Sequence, residues 1–377
     1  MRVELKGVTN GMKTKEDWLA FSRACGRTCY TEKDFQEVIN EQDKSGLIER
    51  TLKSGHHSVF EHVNFTFYMT GLPKIMAMIF NNERQYATSE KSARYTQMSG
   101  LPEEQKQLYD KWMGILTPEI DRVYPAMADI DGRTLAIKKL AQENARYMTS
   151  VFTPTKMVHT LNLRQLNFII KELEKYQGDK KDSKNRFEAR LAQELPELLA
   201  QLEPFKIDGL DNQTDRHLSM FQYEQYPAHF SDVYSTRYPL SFAGLAQAHR
   251  HRTIAYNMLT PGENPDYGFF LPQIVRADNL GNEWGADLRK VAKTDFPQAQ
   301  MVLVRERGTL EDFRSKAILR LCGHAQHEIM KNTEATASLY ADYVPQVADW
   351  IKPKCQQGMK CSGNCVWGGK RALERIV

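Results

Sequence analysis

Apolar residues recur every three to four positions along much of this chain, which is the spacing of amphipathic helices. Residues 14–54 follow this pattern, with Thr14 placed to cap the first helix and Gly55 placed to stop the last. The same pattern predicts four longer helices in the first half of the chain, over residues 104–122, 133–145, 160–176 and 186–202.

One segment of the first half alternates instead with a period of two. Residues 63–69 present apolar and polar side chains in turn, which predicts a half-buried strand. Pro73 then interrupts the strand and suits the first turn of a helix through Ile75 and Met78.

The second half repeats this plan from about residue 206. Residues 229–236 form a strand candidate that Pro239 is expected to end, and a helix through Phe242 and Ala248 follows. Residues 262–285 are rich in Gly, Pro and Asn and are predicted to form a linker. Two helices are predicted after it, over residues 286–306 and 309–330.

A plan that occurs twice along one chain is the pattern of an internal duplication. We therefore predict an α+β protein made of two tandem domains, each with a small antiparallel sheet surrounded by long helices. The predicted boundaries are 1–205 for the first domain and 206–350 for the second, with a Cys-containing tail over 351–377.

Composition narrows the class of protein. A chain of 377 residues with 41% hydrophobic residues can bury two cores. Its formal net charge of +4 suits a phosphorylated small molecule but is too weak to predict nucleic-acid binding. We find neither an apolar run of membrane-spanning length nor a signal-peptide core, so we expect a cytoplasmic protein with no membrane partner and reduced cysteines.

Two separated motifs carry the candidate chemistry. Arg250, His251 and Arg252 follow the predicted helix of the second half, whereas Glu90 to Tyr95 read Glu-Lys-Ser-Ala-Arg-Tyr in the first half. Together they resemble the Arg-His-Arg and Glu-x-Ser-x-Arg-Tyr parts of the flavin-dependent thymidylate synthase signature. Each half of the chain holds the part that the other lacks, which suggests that the two halves jointly form one site.

The resemblance extends to four other segments. Residues 55–62 are similar to the family's Gly-His-x-(Ser/Thr) segment, and residues 144–146 to the Ala-Arg before its middle loop. Residues 160–166 are similar to its Asn-x-Arg segment, and residues 318–329 to its Leu-Arg-x-x-x-His-Ala-Gln segment. The departures are complementary. Asn82-Glu83-Arg84 replaces Arg-His-Arg in the first half, and residues 258–262 replace Glu-x-Ser-x-Arg in the second.

The resemblance implies two thymidylate-synthase-complementing-like domains that act on deoxyuridine monophosphate (dUMP). The implied reaction is methylation to thymidylate with FAD as cofactor and with NADPH and methylene-tetrahydrofolate as co-substrates. The expected substrate-binding residues are Glu90, Ser92, Ala93, Arg94, Arg146, Gln247, Arg250 and Arg320, of which Arg146, Arg250 and Arg320 are the catalytic candidates.

The resemblance also implies a set of flavin-binding residues. These are His56, Ser58, Asn162, Arg164, Arg250, His251, Arg252, Asn257 and His324. Guanidinium groups fit this chemistry because they grip phosphate through paired hydrogen bonds and stabilise negative charge that develops on a pyrimidine ring. Because family members are homotetramers, a fused chain is expected to form a homodimer.

Two alternative functions and the role of the cysteine tail stay open at this stage. A related flavoenzyme could hydroxymethylate another pyrimidine nucleotide, or a degenerate chain could bind nucleotide or flavin without catalysis. His57, Glu61 and His62 match no zinc motif, so no metal is expected there. Cys355, Cys361 and Cys365 hint at a metal or an iron–sulfur cluster, but a fourth ligand is missing, and a mobile, reduced tail without metal is the expectation.

Overall fold

A computed structural model of the chain describes residues 1–41, 46–126, 130–210, 216–262, 266–361, 365–368 and 371–377. The protein is α+β, as predicted. The strands of the first half are β1 Arg2–Val8, β2 Asn64–Pro73, β3 Ala87–Glu90 and β4 Pro154–Asn162. Those of the second half are β5 His229–Phe230, β6 Val233–Ser241, β7 Ala255–Met258 and β8 Met301–Thr309.

Helices outnumber strands in both halves. The first half contains α1 Lys15–Arg27, α2 Phe35–Asn40, α3 Leu47–Ser54, α4 Lys74–Phe80, α5 Glu103–Val123, α6 Ile130–Ala145, α7 Leu163–Lys180 and α8 Arg186–Leu202. The second half contains α9 Phe242–Ala248, α10 Gln273–Ala277, α11 Gly281–Thr294, α12 Leu310–Arg320, α13 His327–Tyr343 and α14 Arg371–Glu374. No helix in these described ranges is long and apolar enough to cross a bilayer.

Local chemistry accounts for several helix ends. The Thr14 hydroxyl accepts a hydrogen bond from the Asp17 N–H, and the Asp17 carboxylate accepts one from the Thr14 N–H, so α1 begins with a capping box. Gly55 ends α3 in the left-handed conformation, with φ of 75°. Both predicted helix boundaries are confirmed.

The two sheets share one strand order. It is β1-β2-β4-β3 in the first half and β5-β6-β8-β7 in the second. The short third strand of each half also pairs in the same register, since Thr88 lies opposite His159 and Tyr256 lies opposite Glu306. In each pair, the second residue of the short strand meets the sixth residue of a nine-residue strand.

The described chain divides into two compact units that do not follow the predicted boundary. Unit 1 comprises residues 1–91 and 155–219, and unit 2 comprises 92–154 and 220–377. The segment containing α5 and α6 therefore packs with the second half. In unit 1, Trp18, Phe65, Phe67 and Phe205 form an aromatic core, with the Trp18 and Phe65 rings 4.8 Å apart.

Unit 2 has two apolar clusters. In the first, Trp112 of α5 meets Trp284 of α11 edge to face, with ring centroids 4.7 Å apart. Trp367 and Val377 of the tail pack into this cluster, so the end of the tail is part of the core rather than a free, mobile segment. The second cluster contains Tyr234, Phe313 and Tyr340.

Several element predictions need correction. The helix predicted over 286–306 ends at Thr294, and residues 301–306 belong to β8. The helix predicted over 309–330 is two helices, α12 and α13, and residues 160–162 end β4 rather than begin a helix. The predicted linker 262–285 contains α10 and the start of α11, and its residues 263–265 lie outside the described ranges.

Pro239 does not end its strand. It lies inside β6, opposite Leu303 of β8. A proline has no backbone N–H, so it weakens a strand that pairs with a neighbouring strand on each side. Here β5 pairs only with Tyr234 and Ser235, so this part of β6 forms an edge on that side and tolerates the proline.

Candidate functional site

The helix α9 is held at its N-terminus by a buried carboxylate. The Ser241 hydroxyl accepts a hydrogen bond from the Gly244 N–H at 3.0 Å and so caps α9. Glu328 accepts hydrogen bonds from the Ser241 N–H at 2.8 Å and from its hydroxyl at 2.7 Å. Burial raises the pKa of Glu328, although hydrogen bonds from Tyr147 and Ser241 oppose the shift. This anchor fixes the helix that delivers Gln247 and Arg250.

At the other end of α9, Arg320 meets the Arg-His-Arg segment. Its Nε donates to His251 Nε2 at 2.7 Å, and its Nη2 donates to the Gln247 carbonyl at 3.2 Å. Burial and the nearby Arg320 and Lys316 lower the pKa of His251 to about 3, so the ring is neutral and accepts. Burial lowers the pKa of Arg320 to about 10, with Arg94 and Arg250 adding to the shift.

Arg94 comes from the first half but lies in unit 2. Its Nη2 donates to the His324 carbonyl at 2.9 Å, and its Nε contacts the carboxylate of Glu143. Burial opposes protonation of Arg94, but the charges of Glu143 and Tyr95 outweigh it and raise the pKa. The guanidinium also lies 5.3 Å from the ring centre of Tyr95. Two segments that are distant in sequence therefore meet here.

Arg146 is the buried neighbour of this pair. Its Nε donates to the Glu143 carbonyl at 3.2 Å and its Nη2 to Gln326 Oε1 at 2.7 Å. Gln326 in turn donates to the Tyr147 hydroxyl at 2.6 Å, and that hydroxyl donates to Glu328 at 2.6 Å. A continuous hydrogen-bonded network therefore joins Arg146 to the anchor of α9.

The remaining predicted residues of unit 2 differ in their exposure. The Ser92 hydroxyl accepts from the Arg94 N–H at 3.3 Å, and Ala93 is buried. Asn257 is buried in β7, whereas Arg252 and His324 are exposed. Arg94 and Arg250 each lie close enough to Arg320 to lower its pKa electrostatically. Within the described part of unit 2, this gathering of guanidiniums is suited to an anion.

Glu90 is the predicted residue that does not join this group. It belongs to unit 1, where its carboxylate accepts from Lys74 Nζ at 2.5 Å and from Asn81 Nδ2 at 3.1 Å. The chain passes from unit 1 to unit 2 directly after Lys91, so Glu90 and Arg94 fall on opposite sides of that boundary.

The four predicted flavin residues of the first half lie in unit 1, in two cavities. Asn162 and Arg164 line a cavity of about 240 Å³ together with Arg84, Arg216 and other side chains. Asn162 also caps α7 by accepting from the Gln165 N–H at 2.7 Å, and Arg164 pairs with Glu61 at 2.6 Å. His56 and Ser58 line a neighbouring cavity, and Glu61 lines both.

The first-half counterpart of His251 is an acidic residue. Glu83 is the third residue after α4, as His251 is the third after α9. It is buried and accepts from the Ser219 N–H at 2.5 Å, from its hydroxyl at 2.9 Å and from Arg216 Nη2 at 3.2 Å. The Arg216 guanidinium in turn lies 3.9 Å from the ring centre of Phe168. Unit 1 thus fills this place with its own side chains.

Sequence reasoning missed three residues that shape the site in unit 2. Glu143 pairs with Arg94, and a buried ion pair joins Lys316 to Glu306 at 2.6 Å, one helical turn before Arg320. Glu143 stands three residues before Arg146 and offered a signal, because a carboxylate beside a buried arginine is an expected partner. Lys316 and Glu306 lie ten residues apart on different elements, and no sequence pattern joins them.

Comparison with known families gives matches over part of the chain. Residues 13–181 match the family described as thymidylate synthase complementing protein. Proteins named flavin-dependent thymidylate synthase match from Pyrococcus abyssi (27% identity, 34% of this chain and 54% of that protein), Pseudothermotoga lettingae (30%, 36% and 63%) and Campylobacter jejuni (29%, 38% and 72%). The similarity to this family therefore covers residues 13–181, which is less than half of the chain. It spans about half the length of the curated relatives it matches first.

Solved structures give a weaker likeness. Thymidylate synthase X from Helicobacter pylori, solved with FAD and dUMP, is 18% identical, with a TM-score of 0.31 over 57% of this chain and 100% of that one. A UMP/dUMP methylase from Streptomyces cacaoi, bound with 5-Br dUMP, is 17% identical, with a TM-score of 0.32 over 56% and 97%.

Proposed function

We propose that this chain methylates dUMP to thymidylate in a flavin-dependent reaction, at one site assembled from both halves of the chain. The observation that carries the proposal is the hydrogen bond from Arg94, in the first-half motif, to the His324 carbonyl, in the Leu-Arg-x-x-x-His-Ala-Gln segment of the second half. Both residues belong to unit 2, which supports a site formed by the two halves of one chain. The family match over residues 13–181 supports the reaction class.

The charges of unit 2 fit a nucleotide monophosphate. Arg320 gives its hydrogen bonds to a neutral imidazole and a backbone carbonyl, and among the described residues it forms no ion pair with a carboxylate. Arg94 and Arg250 add positive charge nearby. A phosphate would offset this concentration of charge, and Ser92 and Gln247 would supply further polar contacts. We assign the phosphate to Arg94, Ser92, Gln247 and Arg250.

Arg320 and Arg146 are then the candidates for the pyrimidine carbonyls. Each guanidinium is fixed by hydrogen bonds to other side chains, so it is oriented before the nucleotide binds. Positive charge beside the carbonyls would stabilise the electron density that develops on the ring during reduction. The neutral His251 orients Arg320 without competing for its charge.

The cavity of unit 1 fits the diphosphate of FAD. Arg84, Arg164 and Arg216 line it together with Asn162 and a single carboxylate, that of Glu61. The other proposed flavin-binding residues are His56 and Ser58 in unit 1 and, in unit 2, Arg250, His251, Arg252, Asn257 and His324. When bound, reduced flavin would supply hydride, with NADPH as reductant and methylene-tetrahydrofolate as the one-carbon donor.

The shared strand order and register support the tandem duplication, with thymidylate-synthase-complementing-like domains at 1–205 and 206–350. We propose that only one of the two equivalent nucleotide sites persists in each chain. Glu83, held by Ser219 and Arg216, puts a carboxylate where the second half has His251. Negative charge at this place would repel a phosphate. Two such chains would form the expected homodimer.

The mass of the nucleotide product tests the proposal. We would incubate the protein with dUMP, FAD, NADPH and methylene-tetrahydrofolate and expect a gain of one methyl group. Arg94→Lys and Arg320→Lys should each lose product and nucleotide affinity. Arg122→Lys is the matched control, because Arg122 is exposed on α5 and pairs with Glu119 and Asp278.

Other outcomes separate the alternatives. A hydroxymethylated product would keep the composite site and change the reaction. Nucleotide binding without any product would indicate a non-catalytic binding protein. If Arg94→Lys binds dUMP as tightly as the unaltered chain, the composite site is wrong.

A further inference from the structure

A cavity within unit 2 adjoins the proposed nucleotide site, because Arg94 and His324 line it. Its volume is about 110 Å³, whereas a pocket for a whole small molecule typically measures about 300–1,000 Å³. The cavity therefore has room for one small chemical group rather than for a second nucleotide. Helix α6 and the tail form its other walls, through Lys139, Glu143, Trp367 and Arg375.

The lining of this cavity carries more positive than negative charge. Arg94, Lys139 and Arg375 supply three cations, whereas Glu143 supplies the one carboxylate among the lining residues. That carboxylate already pairs with Arg94. Lys139 lies 5.5 Å from the ring centre of Tyr95, and among the described residues neither Lys139 nor Arg375 forms an ion pair. Two positive charges at this cavity are therefore left for a ligand to offset.

Arg375 is the more buried of these two cations. It is only 4% exposed, and its guanidinium donates to the carbonyl of Gly323 at 3.0 Å and to the carbonyl of Ala325. Its Nε is buried and has no hydrogen-bond partner among the described residues. A buried charge is costly unless a group of opposite charge lies beside it. An anion in the cavity would provide that charge.

The end of the tail is held in place by hydrogen bonds to α13. His327 Nε2 donates to the Arg375 carbonyl at 2.8 Å, and Lys331 Nζ donates to the Leu373 carbonyl at 2.5 Å. The ring centre of Trp367 lies 5.9 Å from the Arg375 guanidinium. The guanidinium is therefore oriented before a ligand binds, and the aromatic wall beside it strengthens its attraction for an anion by excluding water.

We propose that this cavity binds a phosphate group next to the phosphate of the bound nucleotide. The inference rests on the proposed function, because Arg94 is assigned to the nucleotide phosphate and also lines the cavity. Guanidinium and ammonium groups are the usual protein partners of phosphate. The group has two possible sources, namely the second phosphate of a nucleoside diphosphate and a separate phosphate ion that binds beside dUMP.

Binding measurements on the full chain distinguish these sources. We would titrate the chain with dUMP and with deoxyuridine diphosphate (dUDP) by isothermal titration calorimetry, and then titrate inorganic phosphate into the chain saturated with dUMP. If the nucleotide supplies the group, dUDP should bind about tenfold more tightly than dUMP. If a separate ion supplies it, phosphate should bind to the dUMP-saturated chain.

Lys139→Gln removes one cation of the cavity without breaking an ion pair among the described residues. It should weaken binding of the second phosphate, from either source, by about fivefold or more. Lys138→Gln is the matched control, because Lys138 is the exposed neighbour on α6 and does not line the cavity. Arg375→Gln should have a larger effect. If that variant fails to fold, Lys139→Gln decides the outcome, since Lys139 is only partly buried.

Two results overturn the inference and leave the proposed function standing. One is equal affinity for dUDP and dUMP together with no binding of phosphate to the dUMP-saturated chain. The other is a Lys139→Gln variant that binds these ligands as the Lys138→Gln control does. If neither nucleotide binds to the unaltered chain, the proposed function and this inference are both wrong.

Discussion

The ends of α4 and α9 occupy the same place in two sheets of equal strand order, yet their chemistry is opposite. After α9, the neutral His251 accepts from Arg320, and Arg94 and Arg250 lie nearby. After α4, the buried Glu83 accepts from Ser219 and Arg216. The same strand order therefore carries a group of arginines beside a neutral histidine in unit 2 and a buried, internally paired carboxylate in unit 1.

The difference continues along the helix that follows the long strand. Lys316 and Arg320 are the seventh and eleventh residues of α12, and the same positions of α7 are Ile169 and Leu173. Glu306, the partner of Lys316, corresponds to His159. The second half has charged groups where the first half has mainly apolar ones. This teaches that the backbone plan is kept while the site is gained or lost through a few buried charges.

The largest effect is expected from the buried ion pair of unit 2. Lys316→Ile copies Ile169 but leaves Glu306 buried without its cation, so it should cost about 3–5 kcal/mol of unfolding free energy. Urea unfolding followed by tryptophan fluorescence reports mainly on unit 2, because four of the five tryptophans lie there.

The double variant Lys316→Ile with Glu306→His sharpens the test. It removes both charges and copies the arrangement of the first half, so it should recover much of the lost stability. A cost equal to that of Lys316→Ile alone would show that packing, not charge, determines this position.

A smaller effect is expected at Arg320, and it concerns binding rather than folding. Arg320→Leu copies Leu173 and removes a guanidinium that lies at the centre of the proposed nucleotide site. We expect dUMP affinity to fall about 100-fold, equivalent to about 2.7 kcal/mol. Isothermal titration calorimetry measures this change, and Arg122→Leu on the surface of α5 is the control. An unchanged affinity would remove Arg320 from the site.

Local features of the fold could be predicted from sequence, whereas long-range ones could not. Thr14, Gly55 and the helix α9 followed from caps, stops and periodicity, because each depends on neighbours in the chain. The strand β8 was misread as helix because its sequence, from Met301 to Thr309, mixes apolar and charged residues without a strict period of two.

The candidate site shows the same contrast between local features, which sequence predicts, and long-range ones, which it does not. Motif resemblance pointed to Arg94 and Arg320, but only the fold places them in one unit, because the segment 92–154 leaves its own half. Glu143 also gained its role from a partner that is distant in sequence. The family match itself covers residues 13–181, so the second half had no support beyond its motifs.

The pH dependence of stability separates the two units further. The folded-state pKa of His251 is about 3, below its ordinary value of 6.5, so the unfolded chain binds more protons between these pH values. The free energy of unfolding of unit 2 should therefore fall as pH falls from 6.5, by at most about 1.4 kcal/mol per pH unit for each such histidine. His327, with a pKa of about 4, adds to the slope.

His251→Gln tests this origin. Glutamine can still accept from Arg320 through its carbonyl oxygen but does not titrate. Urea unfolding at pH 7 and pH 5, followed by tryptophan fluorescence, should show a weaker pH dependence in the variant than in the unaltered chain. Equal slopes would mean that His251 does not cause the loss of stability in acid.

The smallest effect is expected in unit 1, from Arg216→Ala. Arg216 is largely exposed at one end and contacts the buried Glu83 and the ring of Phe168 at the other. Glu83 keeps its two hydrogen bonds from Ser219 in this variant. Removing Arg216 should therefore lower the free energy of unfolding by only about 1 kcal/mol. Hydrogen exchange resolved by peptide can place this loss in unit 1.

Arg190→Ala, which breaks the exposed pair with Glu194 on α8, is the matched control and should change exchange less. Affinity for dUMP should stay unchanged in both variants, since a closed first-half site contributes nothing to nucleotide binding. If Arg216→Ala instead creates a second dUMP site in each chain, Arg216 blocks the first-half site and Glu83 does not abolish it. The two halves would then differ because a side chain fills the first-half site, not because that site carries a negative charge.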